Sequence, residues 1–328
     1  MRLLMRLVGA LCLILVIGIV IYMALHRVPD RSVEQLRVRW AQAPSQFVDV
    51  AGMQLHLRDE GPRDDPTPIV LIHGTSSSLH TWDGWVNALK DQRRVIRFDL
   101  PGFGLTGPSA DNNYSIENYA RIVIALLDEL QLEQVVIVGN SLGGNVAWAT
   151  AVLYPQRIKK LVLVDASGYP NQAQSVPIGF TIARIPLLNK LMEQVLPRSV
   201  IESSVKNVYG DPALVTAELI DRYFELTTRA GNRQALSQRL RQTQTESLVN
   251  RIKDLKLPTL IIWGGRDRLI PPAMADRFHQ DIVGSQLVRF NRLGHVPQEE
   301  DPSSTVTVFK QFLADANQTA TRLSDKVD

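Results

Sequence analysis

The chain has 328 residues, 45% of them hydrophobic, and a formal net charge of +3. That length holds one large α/β domain with an insertion, and that composition excludes a disordered protein. The charge is uneven: residues 1–40 carry Arg2, Arg6, Arg27, Arg31, Arg37 and Arg39 against only Asp30 and Glu34. The remainder is close to neutral and gives no reason to expect a nucleic-acid partner.

Leu7 to Leu25 is a run of nineteen uncharged, almost wholly apolar residues between Arg6 and His26. As a helix it would reach about 28 Å, enough to cross a bilayer. The rival reading is a cleaved signal peptide, but the run exceeds the usual apolar region of about 7 to 15 residues and no A-x-A-like site closes it. Residues 1–28 are therefore expected to be a retained membrane anchor. Arg2, Arg6 and the α-amine lie before the span and four arginines after it. A short basic N-terminus normally stays inside, so the domain is expected on the non-cytoplasmic side, periplasmic or extracellular. Cys12, the single cysteine, sits in this run, which excludes a disulfide or thiolate metal site in the rest of the chain. With no H-E-x-x-H or comparable cluster, neither metal nor cofactor is expected.

Residues 29–46 read as a polar spacer, in part helical. Phe47 to Val50 and Met53 to Arg58 then form a strand pair turning at Ala51-Gly52. Pro68 to Ile72 is the next buried strand and ends in His73-Gly74-Thr75, where glycine lets the backbone turn beneath a ligand. His73 is expected to be a packed structural histidine. Val95 to Phe98 gives another strand, leading into the rigid turn Asp99-Leu100-Pro101-Gly102-Phe103-Gly104. Apolar residues at helical spacing over Ile116 to Leu130 precede Val135 to Val138, a β-branched strand of the kind buried on both faces. Leu161 to Val164 follows. Strands alternating with helices predict a mainly parallel sheet covered on both faces.

The alternation stops from 168 to 256, where Pro170, Pro177, Pro186, Pro197 and Pro212 break helical stretches. This segment is expected to be a helical lid over the strand ends. Its apolar first half (Phe180, Ile182, Ile185, Leu187, Leu188, Leu191, Met192) reads chiefly as lid core. The sheet resumes at Thr259 to Trp263 and Gln286 to Phe290, and a helix over Pro302 to Ala314 closes the domain. The core is thus expected over 47–167 and 257–316, with 317–328 a tail.

The chemistry concentrates on Gly139-Asn140-Ser141-Leu142-Gly143-Gly144, where a buried strand runs into a tight turn and then a helix. Glycines two residues to either side of Ser141 remove the Cβ atoms that would obstruct the helix folding back across the strand. Such a turn lifts the serine oxygen to the carboxyl edge of the sheet, with the Leu142 N–H at the helix start facing any oxyanion; the Thr75 N–H is the expected second donor. Ser141 needs a base, and the base needs an orienting acid. Among His26, His56, His73, His80, His279 and His295, only His295 follows a late strand in a loop at the same edge. Asp267, just past another strand end, is the expected acid, with Asp165 its alternative.

Taken together, His73-Gly74, Gly139-Asn140-Ser141-Leu142-Gly143-Gly144, Asp267 and Gly294-His295 make the chain resemble the α/β-hydrolase superfamily over roughly residues 47 to 315. The resemblance implies that fold, a helical lid and a Ser141, Asp267, His295 triad. The Gly-Asn-Ser-x-Gly-Gly elbow is similar to that of meta-cleavage-product C–C hydrolases and of some bacterial lipases and esterases. His73-Gly74-Thr75-Ser76-Ser77-Ser78 departs from the glycine-rich oxyanion loop typical of the C–C hydrolases. Haloalkane dehalogenases and epoxide hydrolases carry aspartate where this chain has Ser141, which argues against both. The expected activity is hydrolysis of a small carboxylic ester, lipidic or aromatic, at a membrane. The alternatives are C–C hydrolysis and a non-catalytic binding module on the same fold.

Overall fold

A computed structural model describes residues 1–186, 188–242 and 248–315; Leu187 and the 317–328 tail lie outside them. Helix α1 (Arg2–Leu25) leads the chain, followed by α2 (Val33–Trp40). Then come β1 (Gln46–Val50), β2 (Met53–Glu60), β3 (Ile69–Ile72), α3 (Asp83–Leu89), β4 (Val95–Phe98), α4 (Ile116–Glu129), β5 (Val135–Asn140), α5 (Leu142–Leu153) and β6 (Ile158–Val164). Among the described residues five α-helices are inserted next: α6 (Ile178–Arg184), α7 (Leu188–Met192), α8 (Arg198–Val208), α9 (Ala217–Thr227) and α10 (Asn232–Gln242). The chain returns to the sheet with β7 (Thr259–Gly264), α11 (Ala273–Asp281), β8 (Gln286–Phe290), α12 (Pro297–Glu300) and α13 (Pro302–Ala314).

The eight strands form one sheet in the order β1-β2-β4-β3-β5-β6-β7-β8. Pairing is antiparallel for β1 with β2 and β2 with β4, and parallel from β4 through β8. Period-two alternation divides the central strands between two cores. Val70, Ile72, Val135, Ile137, Leu161 and Leu163 face α4, α5 and α11, where Tyr119, Val123, Val146, Trp148 and Phe278 are buried. Ile69, Leu71, Val136, Val138, Val162 and Val164 face α3 and α13 through Trp85, Val86, Phe309 and Phe312. The Trp85 ring stacks on Phe309 at 4.9 Å between centroids, and its indole N–H donates to Thr305 at 2.9 Å. With both faces covered, the parallel strands are continuously apolar, and chemistry is left to the loops at their carboxyl ends.

Residues 29–46 are docked on the domain. Ser32 and Gln35 close a capping box that starts α2, and Leu36 and Trp40 are buried against Leu105 and Leu226. The Trp40 indole donates to Glu225 of α9 at 2.6 Å, and Arg31 and Arg39 pair with the same carboxylate. Just after α1, Val28 N–H donates to Gln194 O and Leu196 N–H to His26 O. Arg233 of α10, itself buried, holds Val28 O at 2.9 Å and Asp30 at 2.6 Å. The leading segment is thereby strapped to the inserted helices. Met5–Leu25 of α1 is apolar, wholly unburied and long enough to cross a membrane by length and composition.

Candidate active site

Ser141 stands between β5 and α5 with φ 56° and ψ −117°, a left-handed region that a non-glycine residue enters only at a cost of about 1–3 kcal/mol. The turn is forced by close packing: a Cβ at Gly143 would collide with the carbonyl of Ile72 at the end of β3. Ser141 N–H donates to Val164 O, while the Ser141 carbonyl accepts from Asn145 and Ser167 N–H. These bonds fix the strained residue from both sides. Leu142 opens α5, so its N–H belongs to the first-turn donors that no intrahelical carbonyl can reach.

The loop after β3 closes over the serine. A Cβ at Gly74 would lie 3.0 Å from the Ser141 Cβ, so glycine is what lets the Gly74-Thr75 backbone approach this closely. His73 anchors the loop: its Nδ1 donates to Gly74 O at 2.7 Å while Nε2 accepts from Leu100 N–H at 2.9 Å. Burial lowers the affinity of this ring for a second proton, and both nitrogens are occupied. His73 is a structural pin.

The loops after β7 and β8, neighbouring strands in the sheet, bring in Asp267 and His295. His295 Nδ1 donates to Asp267 Oδ2 at 2.7 Å, and Asp267 Oδ1 accepts from Leu269 and Ile270 N–H at 2.8 and 2.9 Å. With Nδ1 committed to the carboxylate, Nε2 is the nitrogen free to serve as base. Ser141 and His295 line one cavity of about 760 Å³, counted to its open mouth. Gly74, Thr75, Ser76 and Ser77 form its floor beside Ser141, and Phe180, Met192, Ile201, Val205, Val208 and Leu236 of the inserted helices form its apolar roof. Asp267 supports the histidine from behind and is 2% exposed.

Two further contacts hold the histidine loop. Asn140 Nδ2 donates to both Val164 O and His295 O, at 3.1 and 2.9 Å, tying the end of β5 to the β8 loop. Glu300 accepts from Gly294 N–H at 2.7 Å and from Gly210 N–H at 2.8 Å, joining the histidine loop to the chain after α8. Burial pushes the Glu300 carboxyl up to about 7, against those backbone donors, which favour the charged form. Adjacent Glu299 receives Tyr209 Oη and Arg222 at 2.6 and 2.5 Å. Neither role stands out in sequence, apart from a polar residue ending an otherwise apolar strand and two successive acids just past His295.

Asp99 belongs to a second set of serine, histidine and aspartate. Ser45 Oγ meets His56 Nε2 at 2.9 Å, and His56 Nδ1 meets Asp99 Oδ2 at 2.7 Å. Burial opposes ionisation of Asp99, but the neighbouring His56 and its hydrogen bond outweigh it and hold the carboxyl well below the usual range. Asp99 also takes Leu79 and Leu105 N–H, each at 2.8 Å. This trio lines no part of the cavity that holds Ser141; it staples β2 to the β4 turn.

A family model described as alpha/beta hydrolase fold matches residues 67–302. The chain belongs to this alpha/beta-hydrolase family. The 2-hydroxy-6-oxo-2,4-heptadienoate hydrolase of Pseudomonas putida strain F1 is 30% identical over 280 residues, spanning 82% of this hydrolase and 95% of that protein. The solved meta-cleavage product hydrolase from Pseudomonas fluorescens IP01 is 29% identical, with a TM-score of 0.71 and coverage of 84% and 98%. A membrane phospholipase A described as a bacterial virulence factor is 23% identical at a TM-score of 0.71, covering 94% of this hydrolase and 97% of that chain; at that identity the likeness concerns the fold alone.

Proposed function

We propose that this hydrolase cleaves carboxylic esters with an apolar acyl group through an acyl-enzyme on Ser141. In this reading His295 Nε2 takes the proton from Ser141 Oγ as the oxygen attacks the ester carbonyl. The Thr75 and Leu142 N–H groups receive the oxyanion, and His295 returns the proton to the departing alcohol. Water, deprotonated by the same nitrogen, then releases the acid. Asp267 keeps the imidazole in the Nδ1–H tautomer and stabilises its cation.

The observation that carries the ester assignment is the cavity wall: no Lys, Arg, Asp or Glu is among the described residues lining it. A dienoate, as in the name of the Pseudomonas putida relative, would bring a carboxylate into this wall without a counter-charge, at a cost of several kcal/mol. C–C hydrolysis is the second reading, favoured by that relative's 30% identity. Kinetics on p-nitrophenyl esters of increasing acyl length, set beside a ring-cleavage dienoate, separate the two. Esters are expected to lead in kcat/KM by tenfold or more, and a dienoate lead would reverse the assignment. Fluorophosphonate is expected to label Ser141 and not Ser45; no adduct, or an undiminished one in Ser141→Ala, would favour a binding module.

The membrane assignment is supported by the length and apolar composition of α1 and by the short basic N-terminus before it. Arg2, Arg6 and the α-amine form a short basic N-terminus before the span, while Arg27, Arg31, Arg37 and Arg39 follow it on a segment docked against the folded domain. This supports a single-pass anchor with the domain on the non-cytoplasmic side. Ile178, Ile185 and Leu188, on the inserted helices strapped to the anchor, are each more than 40% exposed, which accords with a lipidic substrate. Protection of the domain from protease added to spheroplasts, whose cytoplasmic membrane alone is intact, would reverse the orientation.

A further inference from the structure

Asp165 follows β6 in the left-handed region, with φ 44°, and is fully buried. Its N–H donates to Ile262 O, and its Oδ1 accepts from Gly264 N–H at 3.0 Å. No donor among the described residues reaches Oδ2. Asp267 is furnished in the opposite way, receiving the N–H groups of Leu269 and Ile270 and Nδ1 of His295. Oxygens of Asp165 and Asp267 and a ring nitrogen of His295 all lie within 4.8 Å of one another.

Two carboxylates side by side without water cannot both be ionised. The one with three donors keeps its charge. The one with an orphaned oxygen carries the proton, which converts that oxygen from an unsatisfied acceptor into a donor. We propose that Asp165 is a positioning residue for the hydrolytic site: a neutral carboxylic acid whose Oδ2–H is donated to the Asp267 carboxylate, holding it against His295 and reducing its basicity.

The surroundings agree. Burial raises the Asp165 carboxyl well above its ordinary value, the charge of Asp267 adds to this, and the Glu300 carboxyl on α12 contributes in the same direction. The backbone N–H of Gly264 acts the other way and is outweighed. A proton shared toward Asp267 has a definite effect on the histidine. The carboxylate, already partly satisfied, draws less on the Nδ1 proton, so the imidazole is a weaker base in the resting enzyme than it would be beside an unshared carboxylate.

The inference rests on reading Ser141, Asp267 and His295 as a working triad, and labelling wild type with fluorophosphonate tests that premise alone. Given labelling, Asp165→Ala is expected to lower kcat roughly 10- to 100-fold with little change in KM, through a misplaced base, and to raise the pKa on the acid limb of kcat/KM. Asp165→Asn keeps an acceptor for Gly264 N–H and a donor for Asp267, and is expected to recover most of that loss and the wild-type limb. An Asn variant as impaired as Ala, or an acid limb moved about one unit or more downward as if a negative charge had been removed, would overturn the proposal. So would an Ala variant equal to wild type. Should the Ala variant fail to fold, infrared spectroscopy of resting protein at neutral pH reads the proton directly. The carbonyl band of an un-ionised carboxylic acid is expected in Glu300→Gln, where the half-protonated Glu300 no longer contributes, and missing from the Asp165→Asn/Glu300→Gln double variant; its persistence in the double variant would overturn the assignment.

Discussion

Asn140 shows how much a single side chain beside the nucleophile carries. Its amide bridges two buried carbonyls, Val164 O from β6 and His295 O from the β8 loop. Removing it leaves both acceptors without that donor. Asn140→Ala is therefore expected to lose about 1–3 kcal/mol of stability, measured as a lower urea midpoint at unchanged m-value. It should also lose kcat beyond what reduced folding explains, since the carbonyl released is that of His295 itself. Ser141→Ala is the sharper case: turnover should fall by about 10⁴-fold or more, while the melting temperature holds or rises, because a hydroxyl fixed in a strained turn does not serve the fold.

At the scale of elements, the inserted helices and the histidine loop meet through Glu300, which receives N–H groups from Gly210 and Gly294. Its carboxyl rises from 4.5 to about 7 on folding, so the folded chain binds the proton more tightly than the unfolded one. That contribution to stability is full below pH 4.5 and fades as pH climbs through about 7, by roughly 3 kcal/mol in all. Glu300→Gln is expected to flatten this part of the stability profile between pH 4.5 and 7.5, read by urea unfolding against wild type; matching slopes in the two proteins would refute it. Val205 and Tyr209 also pack on Val296, so the same variant should raise KM more for long acyl chains than for short ones if the roof shifts with the loop.

For the molecule as a whole, the docked part of the chain begins after Leu25, because His26, Val28, Asp30 and Arg31 are already bonded to the inserted segment. A chain lacking residues 1–25 is expected to be recovered without detergent, with the melting temperature and short-chain esterase activity of the full protein. Removing residues 1–31 strips Arg233 of two of its partners and exposes the edge that the strap covers, at a cost of about 1–3 kcal/mol. Thermal unfolding of the two truncations side by side distinguishes a docked strap from a passive spacer.

Much of the framework is written in short-range pattern. Short, unbroken and largely β-branched apolar runs in Ile69–Ile72, Val135–Val138 and Leu161–Val164 select buried strands, and the glycines around Ser141 select a turn that few residues can enter. Those preferences act over a few residues and need no knowledge of the remaining chain. The choice between Asp165 and Asp267 is of another kind, since both follow buried strands. Only the adjacency of β6, β7 and β8 sets Asp267 on His295 Nδ1 and leaves Asp165 beside Asp267 with one oxygen unmatched. Asn140, Glu300 and the strap at His26–Arg31 likewise take their meaning from groups tens to hundreds of residues away. Strand order and helix docking, which local propensity does not encode, choose those partners because buried polar groups must find them wherever the packed chain places them.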